Sequence, residues 1–477
     1  MGRYALWVSL RRNKLAMLQS VAVAMLGGWN GPVIRRLRNR RPGPDRRSSI
    51  QQEQAGSIVQ YIGDALSHAK PRKLERGTRP LRLVHFIGQL GPGGSERQLC
   101  NCAIASRRLG YDVSVLLLTK PTGDFGHYAR MLSSHNVPIR VAGEHFDPAF
   151  RSAVNELPGG EAGLAAIPDQ FFPWTIDVLG ELLADPPDIF HSWLDQANTW
   201  GGLAAVLANV PLVVLSTRSV NPTHFPYLSS PHLHPAYVQL ARSPSVRFVS
   251  NTQAGAEDYA KWLELPKERF PVVLNGIDFG EFSRVSREDE ERFRLQNGIR
   301  REMKIIAGVF RLSEEKQPLV FLEVVRRVVA ARPDVCAVIA GIGPMEPVMR
   351  DYVARHQLEG RVIFLGRRSD IATVFTAATL VMLCSRQEGT PNVLLEAQSL
   401  GCPVVSTRAG GATETVLDRK TGFLVDVGDV AGLQAAVMEV ITNDGLRTSM
   451  SEAGPEFVRN RFGLDRMIRE TISIYET

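Results

Sequence analysis

Short unbroken apolar runs, each bounded by Gly, Pro or charged residues, recur along the chain at 81–88, 112–118, 138–142, 188–192, 211–216 and 246–250. They return at 304–310, at the strand-to-turn units 335–344 and 361–366, and at 381–384 and 403–407. Runs of this kind read as strands buried on both faces. Helical spacing lies between them at 95–109, 176–183, 198–207 and 317–331, and closes the chain at 428–441, 446–460 and 462–475. Strands alternating with helices predict an α/β fold with parallel sheets covered on both sides. The alternation stops near 270 and restarts at 304, which predicts two domains. Residues 1–79 stand apart as an extension.

The most informative stretch runs from Val381 to Val416 and reads strand, loop, helix, strand, Gly-rich turn. Thr390 suits an N-cap, Pro391 the first helical position, and Val393, Leu394, Ala397 and Leu400 an apolar face. The free N–H groups of such a helix start, with the dipole behind them, suit an anion such as a diphosphate. Glu388 precedes the helix and Glu396 lies five residues past Pro391, roughly 7–8 Å along the axis. That is about the separation of a nucleotide's phosphates from its ribose, so Glu396 can accept ribose hydroxyls while Glu388 faces what hangs from the far phosphate. Taken alone, the pair also reads as two solvated glutamates. Arg311 and Lys316, five apart after the strand at 304–310, are placed to meet phosphates at the carboxyl edge of the same sheet.

The run E-G-T-P-N-V-L-L-E-A at 388–397, followed by G-C-P-V-V-S-T-R-A-G-G at 401–411, resembles the E-x(7)-E signature of retaining glycosyltransferases of the GT-B fold, glycosyltransferase family 4 (glycosyl transferases group 1). The resemblance covers about residues 80–477. It implies two Rossmann-like domains facing across a cleft, and a sugar transferred from a nucleoside diphosphate, UDP preferred over GDP, to a hydroxyl group. Glu388 would contact the donor sugar and Glu396 the ribose. Arg311, Lys316 and the amides around Thr390, Pro391, Asn392 and Val393 would hold the diphosphate. Gly341, Gly343 and Arg367 would border the nucleobase. The segment G-P-G-G-S-E-R-Q-L, with Gly93 and Gly94, looks like the family's first Gly-rich loop, where close backbone approach leaves room for donor phosphate and acceptor. The run F-P-V-V-L-N-G-I-D-F-G-E-F at 270–282 resembles its hinge, and F-G-L-D-R-M-I-R-E-T-I-S-I-Y at 462–475 resembles its terminal helix that crosses back onto the first domain, which implies domains of 80–272 with 461–477 and of 273–460. The family's mechanism is described as front-face, the leaving phosphate taking the acceptor's proton.

In P-D-I-F-H-S-W-L-D-Q-A-N at 187–198 the family often carries a second histidine two residues after the first; here that position is Trp193. His191 and Asp195 are therefore rival candidates for a polar role at the reacting centre, and a structural His191 stays open. Arg218, whose guanidinium suits bidentate phosphate contact, is the candidate acceptor residue. His224, His232 and His234 lack an acidic companion in sequence, and no D-x-D triplet occurs, so neither a metal nor another cofactor is expected. The glycines at 88, 91, 93 and 94 do not form G-x-G-x-x-G, and the second strand ends in Thr119 and Lys120 instead of an acid, which argues against a nicotinamide site.

Charge changes the picture at one end only. The chain of 477 residues carries +7, but residues 1–80 hold 16 Lys and Arg against 4 Asp and Glu, leaving −5 on the remainder. The arm, with Trp7, Trp29 and the basic run at 35–41, reads as a segment for an anionic membrane surface, as a weak secretory signal ending at 22–24, or as a tail outside the fold. No run of 18 apolar residues occurs. The five cysteines are odd in number and three lie in or beside apolar strand-like runs, which reads as buried thiols in a reducing compartment. The expected partners are thus a nucleotide sugar and a glycan or polyprenyl-linked acceptor, in the cytoplasm or at the inner face of the membrane, in surface polysaccharide synthesis. Nucleic acid is not among them. The alternatives are a non-catalytic sugar-nucleotide-binding or scaffold protein, and an epimerase or phosphorylase on the same fold.

Overall fold

The computed structural model describes residues 56–476 apart from 58, 68, 78, 144–152, 156, 158, 159, 170 and 281. The aromatic and basic stretches of the N-terminal arm, and with them the membrane and signal readings, lie outside the described residues. No described helix is long and apolar enough to cross a membrane.

The described residues fall into two units, one within Met1–Val249, Asp258–Pro271 and Thr471–Thr477, the other within Ser250–Glu257 and Val272–Glu470. In the first, β1 (Arg82–Ile87), β2 (Asp112–Leu117), β3 (Ile139–Val141), β4 (Ile189–Trp193), β5 (Leu212–Thr217) and β6 (Val246–Ser250) form one sheet. Its order is β3-β2-β1-β4-β5-β6. The second sheet contains β7 (Lys304–Val309), β8 (Val335–Ala340), β9 (Val362–Gly366), β10 (Leu380–Leu383), β11 (Val404–Thr407) and β12 (Gly422–Val425), in the order β12-β11-β10-β7-β8-β9. The pairings of β7 with β8 and β10 are parallel, as are those of β1 with β2 and β4.

Both sheets follow from their apolar runs. Every residue of β4, β5, β8, β10 and β11 is buried; β8 and β10 are wholly apolar, whereas the carboxyl-end halves of β4, β5 and β11 also bury polar residues such as His191, Thr217 and Thr407. The helices that cover the first sheet include α1 (Gly94–Arg108), α2 (Phe172–Ala184) and α3 (Asp195–Leu207); those of the second include α4 (Pro318–Ala331) and α5 (Asn392–Ser399). All five cysteines are buried free thiols.

The topology places the chemistry. In each sheet the chain builds outward from one strand, then crosses to that strand's other side, so the order reverses between β1 and β4 and between β7 and β10. At such a switch point the loops leaving the carboxyl ends diverge, and the crevice between them is where doubly wound sheets bind ligands. In the second unit those loops carry Arg311 and Lys316 after β7, and Glu388 and Thr390 after β10.

Two local expectations differ from the structure. The helix after β10 begins at Asn392, with Pro391 in the capping position at φ −73° and ψ 90°. Thr390 does not cap it, because its hydroxyl donates to the Asn251 carbonyl at 3.0 Å. A sixth strand, β12, also appears where the sequence shows only K-T-G followed by three apolar residues. Gly422 belongs to that strand because a Cβ there would lie 2.2 Å from the Val404 carbonyl oxygen.

Candidate active site

At the β7/β10 switch point Lys316 and Glu388 meet. Lys316 ends a single 3-10 turn (Glu314–Lys316), and its Nζ lies 2.5 Å from Glu388 Oε1. The Lys316 side chain keeps 22% of its exposure while that of Glu388 keeps 8%, so the cation faces solvent and the carboxylate sits behind it. Ser385, fully buried just past β10, donates to the same Oε1 at 2.6 Å. Arg311 is exposed at the start of the same loop. Glu396 is buried on the second turn of α5, at 7% exposure. The start of α5 thus follows one shielded carboxylate, which Lys316 meets, and precedes a second on its own next turn, an arrangement that suits an anion flanked by hydroxyl groups. Asn392 is fixed by Asn275, whose Nδ2 donates to its Oδ1 at 2.7 Å. Val393 is half-buried at the start of the helix.

Gly341 and Gly343 bring the loop after β8 against the loop after β7. Leu312 N–H donates to the Ile342 carbonyl at 3.1 Å and Met345 N–H to the Leu312 carbonyl at 2.9 Å. A Cβ at Gly341 would lie 2.0 Å from the Phe310 oxygen, and one at Gly343 2.4 Å from the Leu312 oxygen. These glycines therefore shape the loop after β7 through the backbone. Arg367 is exposed immediately after β9.

The first unit holds the remaining candidates around its own switch point. Gly93 caps α1, and the space a side chain there would need is filled by the Glu96 carboxylate, which a Cβ at Gly93 would meet at 2.1 Å. Burial pushes the Glu96 carboxyl up to about 7. Gly94 opens the helix beside it. His191 stands on β4 in register with His85 on β1. Its Nδ1 lies 2.6 Å from the Tyr475 hydroxyl, and its ring stacks on Trp193 at 4.7 Å. Trp193 Nε1 donates to His85 Nδ1 at 3.3 Å, which fixes the tautomer of His85 with its proton on Nε2. Burial holds the His85 imidazole down to about 3 and pushes that of His191 well below its ordinary value, so both are neutral rings. Arg218, 9% exposed, lies over the Trp193 ring at 4.6 Å, and burial lowers it to about 10.

Asp195 begins α3 after Leu194, which bends the chain at φ +78°. Its Oδ1 accepts from Tyr237 at 2.8 Å and Tyr259 at 2.5 Å. Burial raises its carboxyl above the usual aspartate range, and the two phenols oppose the rise. His224 pairs with Asp258 at 2.9 Å, His232 with Gln196 at 3.2 Å and His234 with the Trp262 carbonyl at 2.9 Å, so the three histidines serve three different contacts. Sequence reasoning missed Ser385 and Tyr475. The first sits three residues before Glu388 at a strand end, a position that carries a signal; the second is 284 residues from its partner and carries none.

Two doubly wound parallel sheets, the second with a lysine held against a shielded carboxylate at its switch point, make up a glycosyltransferase of the GT-B fold. The comparisons with known proteins agree. The model of Glycosyl transferases group 1 matches residues 289–457 and that of Glycosyltransferase Family 4 matches residues 92–281, and the chain is a GT-B glycosyltransferase related to these families. It is 27% identical over 418 residues to the Vi polysaccharide biosynthesis protein VipC/TviE of Salmonella typhi, covering 84% of this chain and 72% of that protein. It is also 27% identical over 294 residues to the UDP-Gal:alpha-D-GlcNAc-diphosphoundecaprenol alpha-1,3-galactosyltransferase of Escherichia coli, covering 60% of this chain and 75% of that one. The crystal structure of Anabaena Alr3699/HepE in complex with UDP and glucose shares the fold, with a TM-score of 0.68 at 22% identity over 83% of this chain and 99% of that one.

Proposed function

We propose that the protein transfers a sugar from a UDP-sugar, with retention at the anomeric carbon, to a hydroxyl of a glycan or polyprenyl-linked acceptor in surface polysaccharide synthesis. The observation that carries this reading is the meeting of Lys316 and Glu388 at 2.5 Å on the β7/β10 switch point. A cation already held over a shielded carboxylate is what a diphosphate ending in a sugar would engage from two sides. Lys316 and Arg311 neutralise the leaving diphosphate, Glu388 orients the sugar, and Glu396 holds the ribose. The bond from the anomeric carbon to the diphosphate oxygen breaks, a bond to the acceptor oxygen forms on the same face, and the acceptor proton leaves with the diphosphate. UDP, in place of GDP, is supported by the UDP-Gal donor of the Escherichia coli relative and by the ligand of the Anabaena structure. Surface polysaccharide synthesis is supported by the Salmonella typhi relative. The test is incubation with UDP-sugars and a polyprenyl-diphosphate-linked saccharide, the product's anomeric coupling read by NMR. An α-linked product from an α-donor is expected; an inverted product or free sugar alone would refute the reading.

Arg218 serves a phosphate on the acceptor in this account. Its guanidinium is confined against Trp193 at a depth where a second charge is favoured. Arg218→Ala is expected to raise the acceptor KM by about tenfold or more, the scale of one charge-assisted contact, with the donor KM unchanged; an unchanged acceptor KM removes Arg218 from the site. The N-terminal arm places the enzyme at an anionic membrane, each basic residue contributing about 1 kcal/mol. Deleting residues 1–55 should abolish co-sedimentation with phosphatidylglycerol vesicles and leave transfer to a soluble acceptor intact, whereas unchanged sedimentation would assign the arm no membrane role.

A further inference from the structure

We propose that Ser385 is the positioning residue that keeps Glu388 aimed at the donor sugar once Lys316 has turned to the diphosphate. The proposal rests on the donor-site reading above and adds a residue to it.

Two groups hold the same carboxylate oxygen. Lys316 Nζ lies 2.5 Å from Glu388 Oε1 and Ser385 Oγ donates to it at 2.6 Å, while Oε2 takes no hydrogen bond from any described residue. The two holders differ in how they are anchored. Lys316 reaches in on a flexible stem from an isolated 3-10 turn and is partly exposed. Ser385 is fully buried, and its own carbonyl accepts from the Thr407 hydroxyl at 2.6 Å, which ties the end of β10 to the end of β11.

A diphosphate offers Lys316 more negative charge than a single carboxylate does, so donor binding draws the ammonium toward the phosphates. The carboxylate then loses one of its two holders at the moment it must be fixed. Ser385 cannot follow Lys316, because its backbone is clamped and its side chain has one short arm. It keeps Oε1 occupied, and Oε2 remains the single oxygen presented to a sugar hydroxyl. Ser385 thus acts through Glu388 and touches no reacting atom.

Ser385→Ala should lower kcat by about tenfold or more, the scale of losing orientation of one preorganised group, with the UDP Kd and donor KM within about twofold of wild type. Ser385→Thr, which restores the hydroxyl, should recover most of the rate. In the Glu388→Ala background the serine change should add nothing further to the loss. A wild-type kcat in Ser385→Ala, a parallel loss of UDP affinity, or a full additional loss on top of Glu388→Ala would each overturn the proposal. If the wild-type protein bound no nucleotide, the donor-site reading would fail by itself. The Ser385–Glu388 link would then be judged on melting temperatures, where non-additive shifts of the two single variants and the double variant uphold it and additive shifts overturn it.

Discussion

Glu388→Ala should lose turnover by at least about a hundredfold, roughly 2.7 kcal/mol of transition-state stabilisation, and hold UDP at least as tightly as the wild type does. The two halves of this expectation come from the same contact. Glu388 is the partner of Lys316 at 2.5 Å, so in the free enzyme it competes with the diphosphate for that ammonium. Removing the carboxylate releases Lys316 to the nucleotide while leaving the sugar without its orienting group. Steady-state kinetics beside calorimetric titration with UDP separates the two effects. Weakened UDP binding, or a kcat within a few-fold of wild type, would show that Glu388 serves the fold instead of the sugar.

Lys316→Ala should lose in both measurements. The variant leaves the Glu388 carboxylate with 8% of its exposure and no cation, and takes a positive charge from the leaving diphosphate. A fall in kcat/KM of about a thousandfold, roughly 4 kcal/mol, is expected, with UDP affinity down by about tenfold or more. Lys316→Arg should recover UDP affinity before turnover, because its planar fork carries the charge but not the compact ammonium that fits against Oε1. If Lys316→Ala changed neither affinity nor kcat/KM, the pair would be a surface ion pair of the loop and no part of the donor site.

Much of this was legible in the chain. Continuous apolar runs give strands buried on both faces, and the reversal point of each sheet then puts Lys316 and Glu388 in loops that share a crevice, although 72 residues separate them. Glu388 and Glu396 stood out by their spacing around one helix start. The start itself was read one residue early, because Thr and Pro are strong local signals, whereas the Thr390 hydroxyl is claimed by the distant Asn251 carbonyl. The strand at Gly422–Val425 was hidden for a similar reason, a glycine that reads as a turn being required by the close approach of Val404.

What the sequence could not show is how buried side chains pair. Trp193 stands where a second histidine was looked for on β4, and its indole instead fixes the tautomer of His85 on β1. Asp195, a candidate by position, has its Oδ1 shared by two phenols from distant parts of the chain. Tyr475 reaches His191 from the far end of the sequence. Each of these contacts depends on tertiary packing that neither periodicity nor motif spacing encodes.

The account stands most directly on one binding measurement: the thermal shift of the full-length protein with UDP, GDP and ADP, repeated with Glu396→Ala. The account predicts a shift with UDP that exceeds those with GDP and ADP and that Glu396→Ala largely removes, since Glu396 lies buried one turn into the helix whose start is the proposed diphosphate site. Equal indifference to all three nucleotides, or a UDP shift untouched by the substitution, would contradict a donor site at the β7/β10 switch point.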